Sequence, residues 1–305
     1  MQTPWGDLRV ADAHVHFFSH RFFTLLAEQR RVSVEALQPE LGWAMPAVEP
    51  AEFARAWVAE LARHGVARAA LIASLPGDEG SVEAAVRAFP DQFFGYFMVN
   101  PLAEGAVERV SRALDGGCLR GICLFPAMHC YSLQSDRLRE IVSLASRRPG
   151  CVVFVHCGVL TVGVRKKLGL PSLFDMRYAN PADVHALALR HPDLPFVLPH
   201  FGAGYFREAL MLCDQCPNVY LDTSSTNSWI KYQEPGCGLS SVFQRALAVT
   251  GPNRLLFGTD SSFFPRGWHR AIFDEQVRVL AELGISGEDA QAVFGGNLER
   301  IFPGQ

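Results

Sequence analysis

Eight times along this chain a short apolar, β-branched run gives way to a segment whose apolar residues recur at helical spacing, and that alternation is the strongest constraint on its fold. The runs cover residues 8–17, 67–74, 93–100, 119–126, 151–158, 194–202, 219–225 and 254–263. The amphipathic segments cover 50–64, 81–89, 104–114, 136–148, 181–190, 205–216, 239–249 and 268–283. Eight strand–helix units are what a closed parallel (β/α)8 barrel, the TIM barrel, requires, so residues 1–305 are expected to form one such domain. Glycines support the register: His64-Gly65, Asp115-Gly116-Gly117 and Leu283-Gly284 put a residue that tolerates left-handed backbone where a helix should stop. A final short helix from Ser286 leads to Gly295-Gly296-Asn297, where Asn297 is expected to cap a terminal turn.

Two connections exceed what a link needs, 18–49 after the first strand and 159–180 after the fifth. Both leave C-terminal strand ends, where a barrel carries its active site, and are read as lids. There is no internal repeat or low-complexity tract.

Composition excludes several partners. With 28 Lys+Arg against 31 Asp+Glu, the net charge of −3 gives no electrostatic case for nucleic acid or an anionic membrane. The first residues lack a basic head and an apolar signal core, and no apolar stretch reaches the roughly 18 residues of a spanning helix. A cytoplasmic enzyme of small molecules is expected, with homo-oligomerisation left open. The eight cysteines are then expected to be reduced, with Cys123, Cys151 and Cys157 packing in apolar runs. Cys213-Asp214-Gln215-Cys216 has redox spacing but falls at a helix end, where packing is the simpler reading.

Chemistry concentrates at the strand ends. His14, His16, His156, His200 and Asp260 each lie in or at the end of a candidate strand. Side chains alternate along a strand, so His14-Val15-His16 puts two imidazoles on one face, a metal clamp. By the same alternation Asp12 falls on that face, as a buried acceptor or a group behind the ligands. A single His in an apolar strand is ordinarily a hydrogen-bonded core residue. Five metal-binding side chains at the ends of strands that a barrel brings together reverse that reading.

The segments carrying these residues resemble successive signatures of the amidohydrolase superfamily: Ala11-Asp12-Ala13-His14-Val15-His16, Val155-His156-Cys157-Gly158, Pro199-His200-Phe201-Gly202-Ala203-Gly204, Asn218-Val219-Tyr220-Leu221-Asp222-Thr223-Ser224, Leu256-Phe257-Gly258-Thr259-Asp260 and Gly296-Asn297-Leu298-Glu299-Arg300. The likeness is greatest to the amidohydrolase-2 branch, which includes aminocarboxymuconate-semialdehyde decarboxylase. It implies His14, His16, His156 and Asp260 as metal ligands, with His200 placed to activate water or polarise substrate, or to serve as a ligand in two-metal members. Three imidazoles and a carboxylate suit one divalent ion, Zn²⁺ with Mn²⁺ as a replacement. The carbamylated lysine of several two-metal members has no counterpart in Leu119-Arg120-Gly121-Ile122-Cys123-Leu124-Phe125-Pro126; Cys123 stands roughly in its place, as a soft ligand or as packing.

Substrate contacts are expected from His129, Arg165, Arg177, Asp222 and Trp268, with Lys166, Lys167, Arg266, His269 and Arg270 nearby in sequence. Cations in these loops suit a carboxylated, aromatic substrate or are solvated surface. Asp222 fits loop anchoring as well as substrate contact. The expected activity is a metal-dependent hydrolase acting on an amide, ester or lactone of a small carboxylated substrate, with Asp260 or His200 passing a proton to the leaving group. The alternative is a metal-dependent, non-oxidative decarboxylase. A third reading keeps the metal as a structural element without catalysis.

Overall fold

The computed structural model describes residues 1–224 and 229–303. Eight parallel strands form one sheet: β1 (Val10–Phe17), β2 (Val66–Ala73), β3 (Phe93–Val99), β4 (Gly121–Leu124), β5 (Val152–Val155), β6 (Phe196–Leu198), β7 (Val219–Asp222) and β8 (Leu255–Leu256). Each pairs with its sequence neighbour. The chain beyond β8 returns to β1 through Ala13 N–H donating to the Phe257 carbonyl (2.8 Å) and His16 N–H to the Ser261 carbonyl (2.7 Å), which closes the barrel. The expected (β/α)8 architecture is therefore the one observed.

Two apolar layers hold the barrel together. An outer layer between strands and helices includes Val10, Val15, Phe17, Trp57 and Phe257. An inner layer of Ala11, Ala13, Phe94, Tyr96, Cys123 and Phe154 fills the barrel interior. The C-terminal helix Asn297–Ile301 adds Leu298, Ile301 and Phe302 to the inner layer and so plugs the end opposite the site. Asn297 does not cap this helix; its buried side-chain amide donates to the Pro252 and Leu255 carbonyls and pins the entry to β8. The glycine stops stand, with Gly65, Gly117 and Gly284 in left-handed backbone and Gly116 in right-handed helical backbone.

The long connections are more ordered than plain loops. Residues 18–49 hold helices His20–Arg30 and Val34–Leu41, whose N-termini are capped by the Ser19 and Ser33 hydroxyls. Residues 159–180 hold the short helix Gly163–Lys167. The two segments share an apolar cluster of Phe22, Phe23, Leu26, Leu37, Trp43, Val164 and Leu168. Arg30 also donates to the Leu168 carbonyl, and Arg165 to Gln29. Together they form a packed roof over one barrel end. Cys213 and Cys216 are free, and burial pushes the Cys213 thiol up to about 12, which leaves it inert. No helix among the described residues is long and apolar enough to cross a membrane.

Candidate metal centre

One irregular strand and two left-handed breaks beyond strand ends build the site. β1 is irregular between Asp12 and Val15. Ala11 and Ala13 pack inside the barrel while Val10, Val15 and Phe17 pack outside, so the irregularity shifts the alternation by one residue. His14 and His16 face the site, and Asp12 does not share their face. Its carboxylate accepts from Trp268 Nε1 (2.7 Å), from the Thr259 hydroxyl and amide, and from the His14 amide. β6 and β8 are shorter than their apolar runs, and beyond their ends the backbone turns left-handed at His200 (φ 56°), Phe201 (φ 50°) and Asp260 (φ 56°). A non-glycine residue holds that conformation only where its surroundings fix it, and such positions cluster at functional sites. Ser225, the expected end of the seventh strand, lies outside the described residues.

Glycines permit two close approaches. A Cβ on Gly158, at φ 76°, would lie 2.2 Å from the Gly202 carbonyl, so only glycine lets the ends of β5 and β6 meet there. A Cβ on Gly258 would lie 2.7 Å from Asp222 Oδ1 and 3.0 Å from His14 Cβ.

His14 Nε2, His16 Nε2 and Asp260 Oδ1 converge. The imidazole nitrogens are 3.3 Å apart, and Asp260 is 3.6 Å from His14 and 3.2 Å from His16. Two ligands of a tetrahedral zinc, each about 2.0–2.2 Å from the ion, stand roughly 3.3–3.6 Å apart, so the triangle has the edge lengths of one face of such a coordination shell. The groups behind the imidazoles fix their tautomers. His14 Nδ1 faces Asp222 Oδ2 at 2.6 Å. His16 Nδ1 faces the Ser74 hydroxyl at 2.6 Å, and that hydroxyl gives its own proton to the Ile72 carbonyl, so it accepts from His16. Both Nδ1 atoms therefore carry the proton and both Nε2 atoms present lone pairs. Three acceptors with no donor among them are stable only around a cation, and the residues present fit a divalent metal.

The electrostatics agree. Burial disfavours charge on His14, but Asp222, Asp260 and Asp12 together outweigh it and raise the imidazole above its ordinary value: a proton is the smallest cation this ring of acceptors can hold. Burial lowers His16 and His200, and takes His156 well below the usual range. Burial alone would raise Asp222 and Asp260, yet the facing histidines hold both carboxyls below the ordinary value.

His200 and His156 complete the floor. His200 Nδ1 donates to the Ser224 carbonyl at 3.0 Å, and Nε2 has no hydrogen-bond partner among the described residues. Its ring is 5.0 Å from His14 and 5.3 Å from His156. His156 stacks on Phe125 at 5.2 Å and lines the same cavity, but the group of donor atoms lying within 4.8 Å of one another comprises His14, His16 and Asp260. Cys123 faces the barrel interior, where burial holds its thiol well above the ordinary value, and it is not in that group.

Above the floor is a cavity of about 660 Å³, walled by Phe18, Phe22, Trp43, Phe125, Phe263 and Tyr232, with Lys166, Lys167, Lys231 and Arg266 also reaching it. The substrate candidates divide. Arg165 is spent on the Pro171 carbonyl and Gln29, and exposed Arg177 pairs with Asp175 at 2.6 Å. Trp268 is buried against Phe257 and bonded to Asp12, and Asp222 lies behind His14. His129 stacks beside Tyr131, and its neighbour Met128 lines the cavity in its place. Sequence reasoning missed Ser74, whose place behind His16 depends on the β1–β2 register, and missed the aromatic wall, whose members come from separate loops.

Residues 11–304 match the amidohydrolase family. Protein fluG of Emericella nidulans is 34% identical over 113 residues, and a 2-keto-4-carboxy-3-hexenedioate hydratase of a Sphingobium species 30% over 125. These matches take in 36% and 37% of this chain but only 13% and 34% of the relatives' own lengths. Solved structures share the fold across nearly whole chains. A 5-carboxyvanillate decarboxylase from Sphingomonas paucimobilis has a TM-score of 0.65 at 15% identity, with 97% of this chain and 99% of that one covered. A probable 2-pyrone-4,6-dicarboxylic acid hydrolase from Acinetobacter baumannii has a TM-score of 0.62 at 13% identity, covering 97% and 99%. A further 5-carboxyvanillate decarboxylase, from Novosphingobium aromaticivorans and solved with bound manganese, has a TM-score of 0.59 at 15% identity, covering 98% and 98%. With the family match running from the first barrel strand past the C-terminal helix, the chain belongs to the amidohydrolase family.

Proposed function

We propose that the chain is a metal-dependent hydrolase acting on an amide, ester or lactone of a small carboxylated substrate. The observation that carries this is the convergence of three lone-pair donors, with tautomers fixed from behind, beside a histidine whose Nε2 is unengaged among the described residues. His14, His16 and Asp260 would hold one divalent ion, with His156 as the fourth ligand; Zn²⁺ suits this set and Mn²⁺ is a workable replacement. When bound, such an ion polarises the scissile group and brings the pKa of water down to about 7.

The chain's own residues supply the rest. Burial keeps His200 neutral near pH 7, so Nε2 can take a proton from attacking water and return it to the leaving group. The Ser224 carbonyl holds that ring in place through the exchange. Asp260 stays ionised and anchors the ion. Asp222 and Ser74 keep His14 and His16 aimed inward. The roof and the aromatic wall exclude bulk water.

A second reading, non-oxidative decarboxylation, is favoured by that same enclosed, cation-bearing cavity and by related proteins named for both reactions. Metal-loaded protein should be offered carboxylated lactones and aromatic acids in ¹⁸O-water. Hydrolysis is expected to place the label in the product, whereas CO₂ release without label would make decarboxylation the activity. Elemental analysis should give one equivalent of metal per chain, and two equivalents in active protein would overturn the mononuclear reading.

A further inference from the structure

The segment that carries Asp260 also carries Arg266 into the cavity wall. Arg266 Nη2 donates to the Asp260 carbonyl at 3.2 Å and to the Ser262 hydroxyl at 3.1 Å. Its guanidinium lies over Phe263 at 4.5 Å, and Phe263 stacks on Trp43 at 4.0 Å with an interplanar angle of 9°. Trp43 belongs to the roof, so Arg266, Phe263 and Trp43 together link the roof to the segment that carries Asp260. Among the described residues Nε and Nη1 have no hydrogen-bond partner and no carboxylate forms an ion pair with Arg266, although the charge of Asp260 is felt there.

The other cations of the cavity are placed differently. Lys167 sits over Trp43 and reaches the Leu41 carbonyl, while Lys231 lies over Tyr232. Arg266 alone is tethered to the backbone of a proposed metal ligand. It is preorganised, so little side-chain entropy is lost on binding, and a planar guanidinium with free N–H groups is suited to a carboxylate.

We propose that Arg266 binds a carboxylate that the substrate retains through the reaction, attached to a planar ring that lies along the Phe263–Trp43 wall. The proposal rests on the metal-dependent reading for the reacting end of the substrate. It assigns substrates with two polar ends: a reacting group over the His14, His16 and Asp260 triangle, and a second, unreactive carboxylate on Arg266.

Isophthalate and benzoate are suitable probes, since they share a ring and differ by one carboxylate. Calorimetric titration of metal-loaded wild type is expected to show isophthalate binding about 10-fold or more tighter than benzoate, the range of a charge-assisted hydrogen bond. In Arg266→Met the two should bind alike, and Arg266→Lys should recover part of the preference as a point charge without the planar fork of N–H donors. Equal binding of both probes to wild type, or an undiminished preference in Arg266→Met, would overturn the proposal. Metal content measured on the same samples separates two further outcomes. Loss of metal from Arg266→Met would make Arg266 a support of the Asp260 loop and overturn the binding role. Metal-free wild type that still prefers isophthalate, and loses that preference in Arg266→Met, would sustain Arg266 while the metal-dependent reading failed.

Discussion

At the scale of single residues, the proposed function separates groups that would hold a cation from groups that would move a proton. His16→Ala removes one of three converging donors, so metal content and activity should fall together. His200→Ala should leave the metal in place and lower turnover by roughly 10²–10⁴, the usual contribution of a general base. Elemental analysis alongside kinetics tests both, and equal metal loss from the two variants would make His200 a ligand. Asp222 makes a different prediction because it meets His14 from behind, at Nδ1, while its other oxygen accepts from the Ser224 amide. Asp222→Asn keeps the shape but weakens the hold on the tautomer, and metal affinity should drop by about 10–100-fold. A competition titration against a chelator reads this directly, and unchanged affinity would show that Ser224, 2.9 Å from the same nitrogen, is sufficient.

At the scale of elements, the roof is a packed satellite core rather than a free loop. Trp43 is buried, stacked on Phe263, and shared between the connections after β1 and β5. Trp43→Ala should cost about 3–5 kcal/mol locally, as large aromatic truncations do. Because its cluster is separate from the barrel layers, the loss should appear as faster amide exchange across 18–49 and 159–180 while the strands stay protected. Unchanged exchange there would mean that the roof does not depend on this stack. The same elements show where sequence was legible. Eight apolar runs fixed the strand count, and their order placed His14, His16, His156, His200 and Asp260 at one end of the barrel. The one-residue shift in β1 was not legible, since strict alternation put Asp12 beside the histidines. Nor were the left-handed breaks at His200 and Asp260, where local preference yields to the site. The loop cations were visible as charges, but their partners were not: Arg177 meets Asp175 two residues away, and Arg165 meets a carbonyl.

At the scale of the whole molecule, stability should respond to acid through buried histidine. His129 is largely enclosed, and burial lowers it to about 4 from an ordinary 6.5. The unfolded chain therefore takes a proton as pH falls below 6.5 while the folded chain resists until about 4. Its contribution is fully present above pH 6.5 and lost across that window, by up to about 3 kcal/mol. His129→Leu should flatten this part of the acid limb in denaturant titrations at several pH values; an identical limb would place the titration elsewhere.

The barrel's two ends should also be separable by mutation, because the plug and the site share no residue. Phe302 is buried at the closed end, stacked on Phe94 at 4.9 Å and set edge-on to Tyr96 at 5.3 Å. Phe302→Ala leaves a void that the rigid strand backbone around it can only partly close, so a loss of about 3–5 kcal/mol is expected. Metal stoichiometry and turnover at 25 °C should stay at wild-type values as long as the variant remains folded. The measurement pairs a denaturant midpoint with metal content. A variant that unfolds earlier yet binds metal normally supports a site held by the strand ends alone. One that sheds metal before it unfolds would show that inner-layer packing reaches His14 through Phe154, whose ring meets both His14 and Tyr96.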